Sequence, residues 1–268
     1  MALPSLRFTN TYHAYSLTRR GFGYSSKPST GYDFPTLARD VAVFMDSMHC
    51  GSAVIAGHSI GRVELTWLAT MYPQRVKKLV YLDAAYELQR LPPIEFNPPK
   101  WLDSLTVATE TDLSSPEQFQ QYLLKCDGIL YPLTEINAIF AFDTAGQYLN
   151  KRYSDAAIAE IDKLDTTQEY NYSAVRQPLL AVYSIDSSVM TEWFEYLVRK
   201  SGRTLDPSDN AFINDLIRAI RTRAESASDR LHEQLPQCKI VFLDAAHHSF
   251  ITDPDEVERA MRKFMEEK

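Results

Sequence analysis

The stretch from Ser52 to Leu68, SAVIAGHSIGRVELTWL, constrains this chain more than any other. Ala53-Val54-Ile55-Ala56 is a short apolar run of the kind that forms a buried parallel strand. Gly57-His58-Ser59-Ile60-Gly61 follows at once, and Val63, Leu65, Trp67 and Leu68 then take up helix-compatible apolar spacing. The reading is strand, sharp turn, helix, with Ser59 at the apex. So tight a turn holds its apex residue in a strained backbone conformation, and glycine at 57 and 61 is expected to remove Cβ atoms that would collide as strand and helix pack. Ser59 is thereby pushed out above the sheet. The N–H of Ile60, at the start of the helix, is expected to face the space where a carbonyl oxygen would gain negative charge.

A bare G-x-S-x-G pattern is common by chance, and the flanking strand and helix give it weight. Together with Arg20-Gly21-Phe22-Gly23-Tyr24-Ser25, the strand Leu79-Val80-Tyr81-Leu82-Asp83 and the late His247, it resembles the α/β-hydrolase superfamily in its serine-esterase branch. The resemblance covers nearly the whole chain and is weakest in the middle. It implies an α/β fold, a mostly parallel sheet flanked by helices with an inserted helical cap, and chemistry that needs no metal or organic cofactor. A serine at the apex argues against the dehalogenase and epoxide-hydrolase branches, which use aspartate there. Carbon–carbon hydrolases and thioesterases share the serine arrangement and stay open beside esterases.

With 268 residues, 45% of them apolar, the chain is long enough for one large core or a core with an insertion. Its net charge of −7 argues against nucleic acid or an anionic membrane surface as the main partner. Cys50, Cys126 and Cys238 are odd in number, widely spaced and without a C-x-x-C pair, which argues against a disulfide framework or a zinc site. They read as small buried apolar residues of a reducing compartment, and the expected location is cytoplasmic. No run of eighteen apolar residues offers a membrane span, and Met1 to Asn10 lacks the pattern of a signal peptide. The oligomeric state is not legible.

Along the chain, Tyr12 to Leu17 reads as a strand, which the resemblance makes the fourth of the sheet. The family has three strands before it, and a His-Gly loop after the third supplies a second oxyanion donor. Only a short segment precedes Tyr12 here, so the expectation is a sheet truncated at the N-terminus, arising from a fragment or a misplaced start. In a sheet so truncated Tyr12 to Leu17 is free to pair directly with Ala53 to Ala56, and loss of one oxyanion donor, worth about 2.7–4 kcal/mol, predicts a slow or inactive enzyme. Thr36 to Met48 has apolar residues spaced for one helix face. The hydrolase core is expected over residues 1–87 and 176–268, with a helical cap over 88–175 whose Phe96, Trp101, Phe119, Tyr122, Phe140 and Phe142 either line an acyl pocket or form core. Further strands are expected at Leu179 to Tyr183 and Lys239 to Leu243. The final helix is signalled by Asp253, Pro254 and Glu256.

A serine hydroxyl needs a neighbouring base, and the base needs a carboxylate to orient it. In this fold they come in the order serine, acid, histidine, each at the C-terminal end of a strand. Of six histidines only His247 and His248 follow the last strand, and the spacing to Pro254 in similar sequences selects His247. Asp186, just past the strand at 179–183, is the first choice of acid; Asp83, after the preceding strand, is the alternative, and Asp244 lies too near His247 along the loop. Arg62, where the family has a small residue, reads as pointing outward from the first helical turn. The reading is a serine carboxylic-ester hydrolase acting on small or medium apolar esters, with catalytic Ser59, Asp186 and His247 and the Ile60 N–H holding the oxyanion. The alternative is a non-catalytic remnant of the fold that binds a small ligand or a protein partner.

Overall fold

A computed structural model of the chain describes residues 6–95, 97–185 and 187–267. Helix α1 (Phe34–Ser47) opens on Asp33, whose side chain accepts the N–H of Thr36, and leads to strand β1 (Ala53–His58). After the turn at Ser59–Gly61 come helix α2 (Arg62–Met71) and strand β2 (Val76–Leu82). A long stretch then carries helices α3 (Lys100–Thr106), α4 (Pro116–Asp127) and α5 (Leu133–Ile139), strands β3 (Phe140–Phe142) and β4 (Tyr148–Lys151), and helix α6 (Asp155–Thr167). Strand β5 (Leu179–Ser184), helices α7 (Ser187–Lys200) and α8 (Pro207–Gln234), strand β6 (Lys239–Leu243), the short helix α9 (Ser249–Thr252) and helix α10 (Pro254–Glu266) complete the order.

The main sheet has the order β1-β2-β5-β6, and every pair in it is parallel. Parallel strands need covering on both faces, and the sequence supplies it by alternation. Leu79, Tyr81, Leu179, Ala181 and Tyr183 face a core built with α1, α2 and α8. Val80, Leu82, Leu180 and Val182 face the other way, onto Val257, Met261 and Phe264 of α10. Each such Val, Leu, Phe or Met contributes about 1.5–3 kcal/mol by leaving water. Lys78 locks the second layer to the sheet edge-on, its ammonium donating to the carbonyls of Phe264 and Glu267 at the end of α10.

Two expectations are corrected here. Residues 13–19 form no strand; Tyr15 and Leu17 are exposed, and the segment is held instead by side chains. Arg19 grips both carboxylate oxygens of Glu64 on α2, and Arg20 forks onto Asp40 of α1. A strand is stable only through a paired neighbour, and among the described residues β1 is paired with β2 alone. The stretch between β2 and β5 is likewise not purely helical, since β3 and β4 form an antiparallel hairpin. Phe119 of α4 stacks on Tyr148 at 4.8 Å and meets Phe140 and Phe142 edge-on, so these aromatics form a local core. Trp101 packs on Phe194 of α7 and donates to Asp209. Phe96 lies outside the described residues.

Arg62 departs from its expected outward position. It is 4% exposed and forms an ion pair with Asp165 of α6, whose other oxygen accepts the Tyr170 hydroxyl at 2.5 Å. The first turn of α2 faces α6 rather than solvent, and an arginine buried there requires a carboxylate. Gln89 donates to the Asp165 carbonyl at 2.8 Å, so the pair sits inside a small polar network joining α2 to the stretch between β2 and β5. No helix among the described residues is long and apolar enough to cross a membrane. Removing one partner of a buried pair strands the other charge, so Asp165→Asn is expected to cost about 3–5 kcal/mol of stability, measured by urea denaturation.

Candidate active site

Parallel strands deliver their C-terminal ends to one rim of the sheet, and both β1 and β2 end there in unusual backbone. Ser59, directly after β1, has φ 51°, and Asp83, directly after β2, has φ 44°. Left-handed conformations outside glycine are uncommon and cluster at functional sites. His58 and Leu82 are register partners, so Ser59 and Asp83 leave adjacent strands at the same level.

The local sequence explains the turn only in part. A Cβ on Gly57 would stand 2.5 Å from Leu65 Cδ1 and 3.1 Å from the Gly61 carbonyl oxygen, so any larger residue where strand meets helix must displace the Leu65 side chain and crowd the elbow backbone. Gly61 is different. A Cβ there would meet nothing within 4 Å, and its φ of −58° is ordinary helical backbone. The expected collision at 61 is therefore absent, because the chain has already turned away from the strand.

Asp83 is buried, and its carboxylate is ringed by donors. Oδ2 accepts Nδ1–H of His247 at 2.6 Å, while Oδ1 accepts the Tyr86 hydroxyl at 2.6 Å and the Ser184 N–H at 3.1 Å. Burial and the Asp83 charge push the Tyr86 phenol up, so it stays a donor. His247 reaches in from the loop after β6 and is 46% exposed at its side chain. With Nδ1 committed to the carboxylate, Nε2 is the nitrogen free to exchange a proton. The imidazole of His58, next to Ser59 in the chain, lies 4.4 Å from that of His247 between ring centroids and donates from Nε2 to the His247 carbonyl at 2.8 Å.

His248 points elsewhere. Its Nδ1 stands 3.4 Å from the Tyr131 hydroxyl, which donates to Asp127 at 3.0 Å. Burial, then the charge on His247, lowers the His248 imidazole to about 4, and burial lowers His58 well below the ordinary value. Asp244 accepts the N–H groups of Ser187 and Ser188 at the start of α7, and so serves as a helix cap.

The structure thus brings His247 to Asp83, with Ser59 and Ile60 at the end of the neighbouring strand. Asp186 lies outside the described residues. Sequence reading kept Asp83 as the alternative acid, and passed over Tyr86, Tyr131 and the contact made by His58. Tyr131 and His58 act across the fold, so nothing in their local sequence marks them, whereas Tyr86 stands only three residues from Asp83 and is aimed at it by the left-handed backbone after β2.

A family model for the alpha/beta hydrolase fold matches residues 3–197. Among curated proteins, a putative non-heme chloroperoxidase of Synechocystis sp. is 39% identical over 72 residues, 26% of each chain. The 2-(acetamidomethylene)succinate hydrolase of Mesorhizobium japonicum is 32% identical over 78 residues, covering 29% of this chain and 28% of the relative. The matched part therefore spans between a quarter and a third of these relatives. In three dimensions, the crystal structure of E-2-(acetamidomethylene)succinate hydrolase superposes with TM-score 0.66 at 22% identity, over 98% of this chain and 84% of that one.

Two outcomes follow from the site's construction. Gly57→Ala is expected to lose about 1–3 kcal/mol by overpacking, whereas Gly61→Ala stays within about 1 kcal/mol of the parent, both read by thermal denaturation. Because His248 is neutral in the fold down to about 4 and an unfolded imidazole protonates near 6.5, unfolding takes up a proton between those values. Stability present above pH 6.5 is therefore lost as the pH falls toward 4, and the slope of unfolding free energy against pH is shallower in His248→Asn.

Proposed function

Because the chain belongs to the alpha/beta hydrolase family, we propose that it is a serine hydrolase cleaving carboxylic esters through an acyl-enzyme. The observation that carries this reading is the Asp83–His247 hydrogen bond at the strand rim that also carries Ser59 in left-handed backbone. Asp83 fixes the imidazole with its proton on Nδ1 and stabilises the cation that forms when Nε2 takes the Ser59 proton. The serine oxygen attacks the ester carbonyl, whose oxygen gains a negative charge beside the Ile60 N–H at the head of α2. Collapse expels the alcohol, which leaves with the proton from Nε2. Water, deprotonated by the same nitrogen, then releases the acid and restores Ser59.

We read the substrate as small to medium and uncharged. The two arginines beside the elbow, Arg19 and Arg62, are already paired with the carboxylates of Glu64 and Asp165, which disfavours their recruiting an anionic group. Residues 88–175 act as a cap in this reading, which the reach of Tyr131 to His248 supports. The free, half-buried thiols of Cys50, Cys126 and Cys238 suit a reducing, cytoplasmic setting.

A fluorophosphonate probe is expected to label the wild type and not Ser59→Ala. Asp83→Asn, which removes the negative charge and, with Tyr86 and Ser184 holding its oxygen, turns an amide donor toward Nδ1 and favours the wrong imidazole tautomer, is expected to lower kcat for p-nitrophenyl butyrate by about 10⁴-fold, far more than Asp186→Asn. Folded wild type that resists the probe would instead favour a non-catalytic remnant of the fold.

A further inference from the structure

We propose that His58 is a positioning residue for His247: the Nε2–H of His58 holds the His247 backbone carbonyl and, with Asp83, sets where the imidazole stands relative to Ser59. This rests on the serine-hydrolase reading above. The carbonyl can only accept, so the 2.8 Å contact requires the proton of His58 to be on Nε2. His247 is then held at two atoms from two strands. Its carbonyl is held from the end of β1, and its ring Nδ1 from the residue after β2.

One anchor does not suffice for a half-exposed ring on a loop, because the imidazole can swing about a single hydrogen bond. The second anchor also has a particular origin. His58 and Ser59 are consecutive, so any displacement of the β1 end moves the nucleophile and the tether of the base together. The His58 ring is itself fixed, with His248 at 4.7 Å and Phe250 edge-on at 5.0 Å between centroids. The titratable groups facing it are His247 and His248, with Asp83 and Tyr131 behind them. Burial keeps His58 neutral, so it places no like charge beside His247 when that residue takes the serine proton.

The two amide replacements separate the donor from the ring. His58→Gln sets an N–H at the reach of Nε2, whereas His58→Asn sets it at the reach of Nδ1, too short for the carbonyl. With p-nitrophenyl butyrate, His58→Asn is expected to lower kcat about 10–100-fold with KM within about threefold, and His58→Gln to recover most of that loss. Equal losses in both, or no loss in either, would overturn the proposal. The Nδ1 proton of His247 is followed by NMR in the same proteins, a readout independent of turnover. Its hydrogen-bonded resonance is expected to persist in His58→Gln and to broaden or vanish in His58→Asn; the same behaviour in both variants overturns the proposal. An inactive wild type that keeps this NMR pattern would sink the hydrolase reading and leave the tether standing. Should His58→Asn not fold, His58→Phe, which keeps a ring and lacks the donor, replaces it.

Discussion

The hydrogen bond from His247 Nδ1 to Asp83 Oδ2 joins the loop after β6 to the end of β2, two strands away across the sheet. Its geometry is inherited from the strands. β2 and β5 are buried along almost their whole length, and their ladder places the Ser184 N–H where it completes the shell of Asp83. A carboxylate at that depth needs donors, and the strand ends, Tyr86 and His247 supply them. The site is thus a consequence of the sheet's register, and it loses definition if the register moves.

Charge is managed around the elbow by the same rule. Arg19 binds the Glu64 carboxylate and the Ile60 carbonyl, and Arg62 pairs with Asp165, so two cations beside the candidate nucleophile are neutralised locally. The Arg62 pair is deeply buried, which makes it weak evidence for net stability and strong evidence for a fixed arrangement between α2 and α6. That fixity matters because α6 belongs to the long stretch between β2 and β5, whose Tyr131 meets His248 at the site.

Much of this was legible in the residue order. The run from Ala53 to Leu68 announced strand, turn and helix, and Ser59 does sit in left-handed backbone. The apolar blocks at 79–82, 179–183 and 239–243 are strands, and Asp253-Pro254 opens α10. Residues 12–17 misled because alternating apolar residues signal a strand only if a partner is available to pair with them. Arg62 misled because helical periodicity says which way a side chain points from its own axis, not what other helix waits there.

What the sequence by itself determined is the set of local events: where strands and helices begin, that a sharp turn at Ser59 joins β1 to α2, and that a histidine follows the last strand. Those depend on neighbours in the chain and on the periods of helix and strand. The tertiary structure alone decided that Asp83 meets His247, that His58 reaches the His247 carbonyl, and that Arg62 is buried against Asp165. Each of these contacts joins residues more than a hundred positions apart, and a hydrogen bond of under 3 Å is set by how strands register and helices pack, which no local pattern encodes.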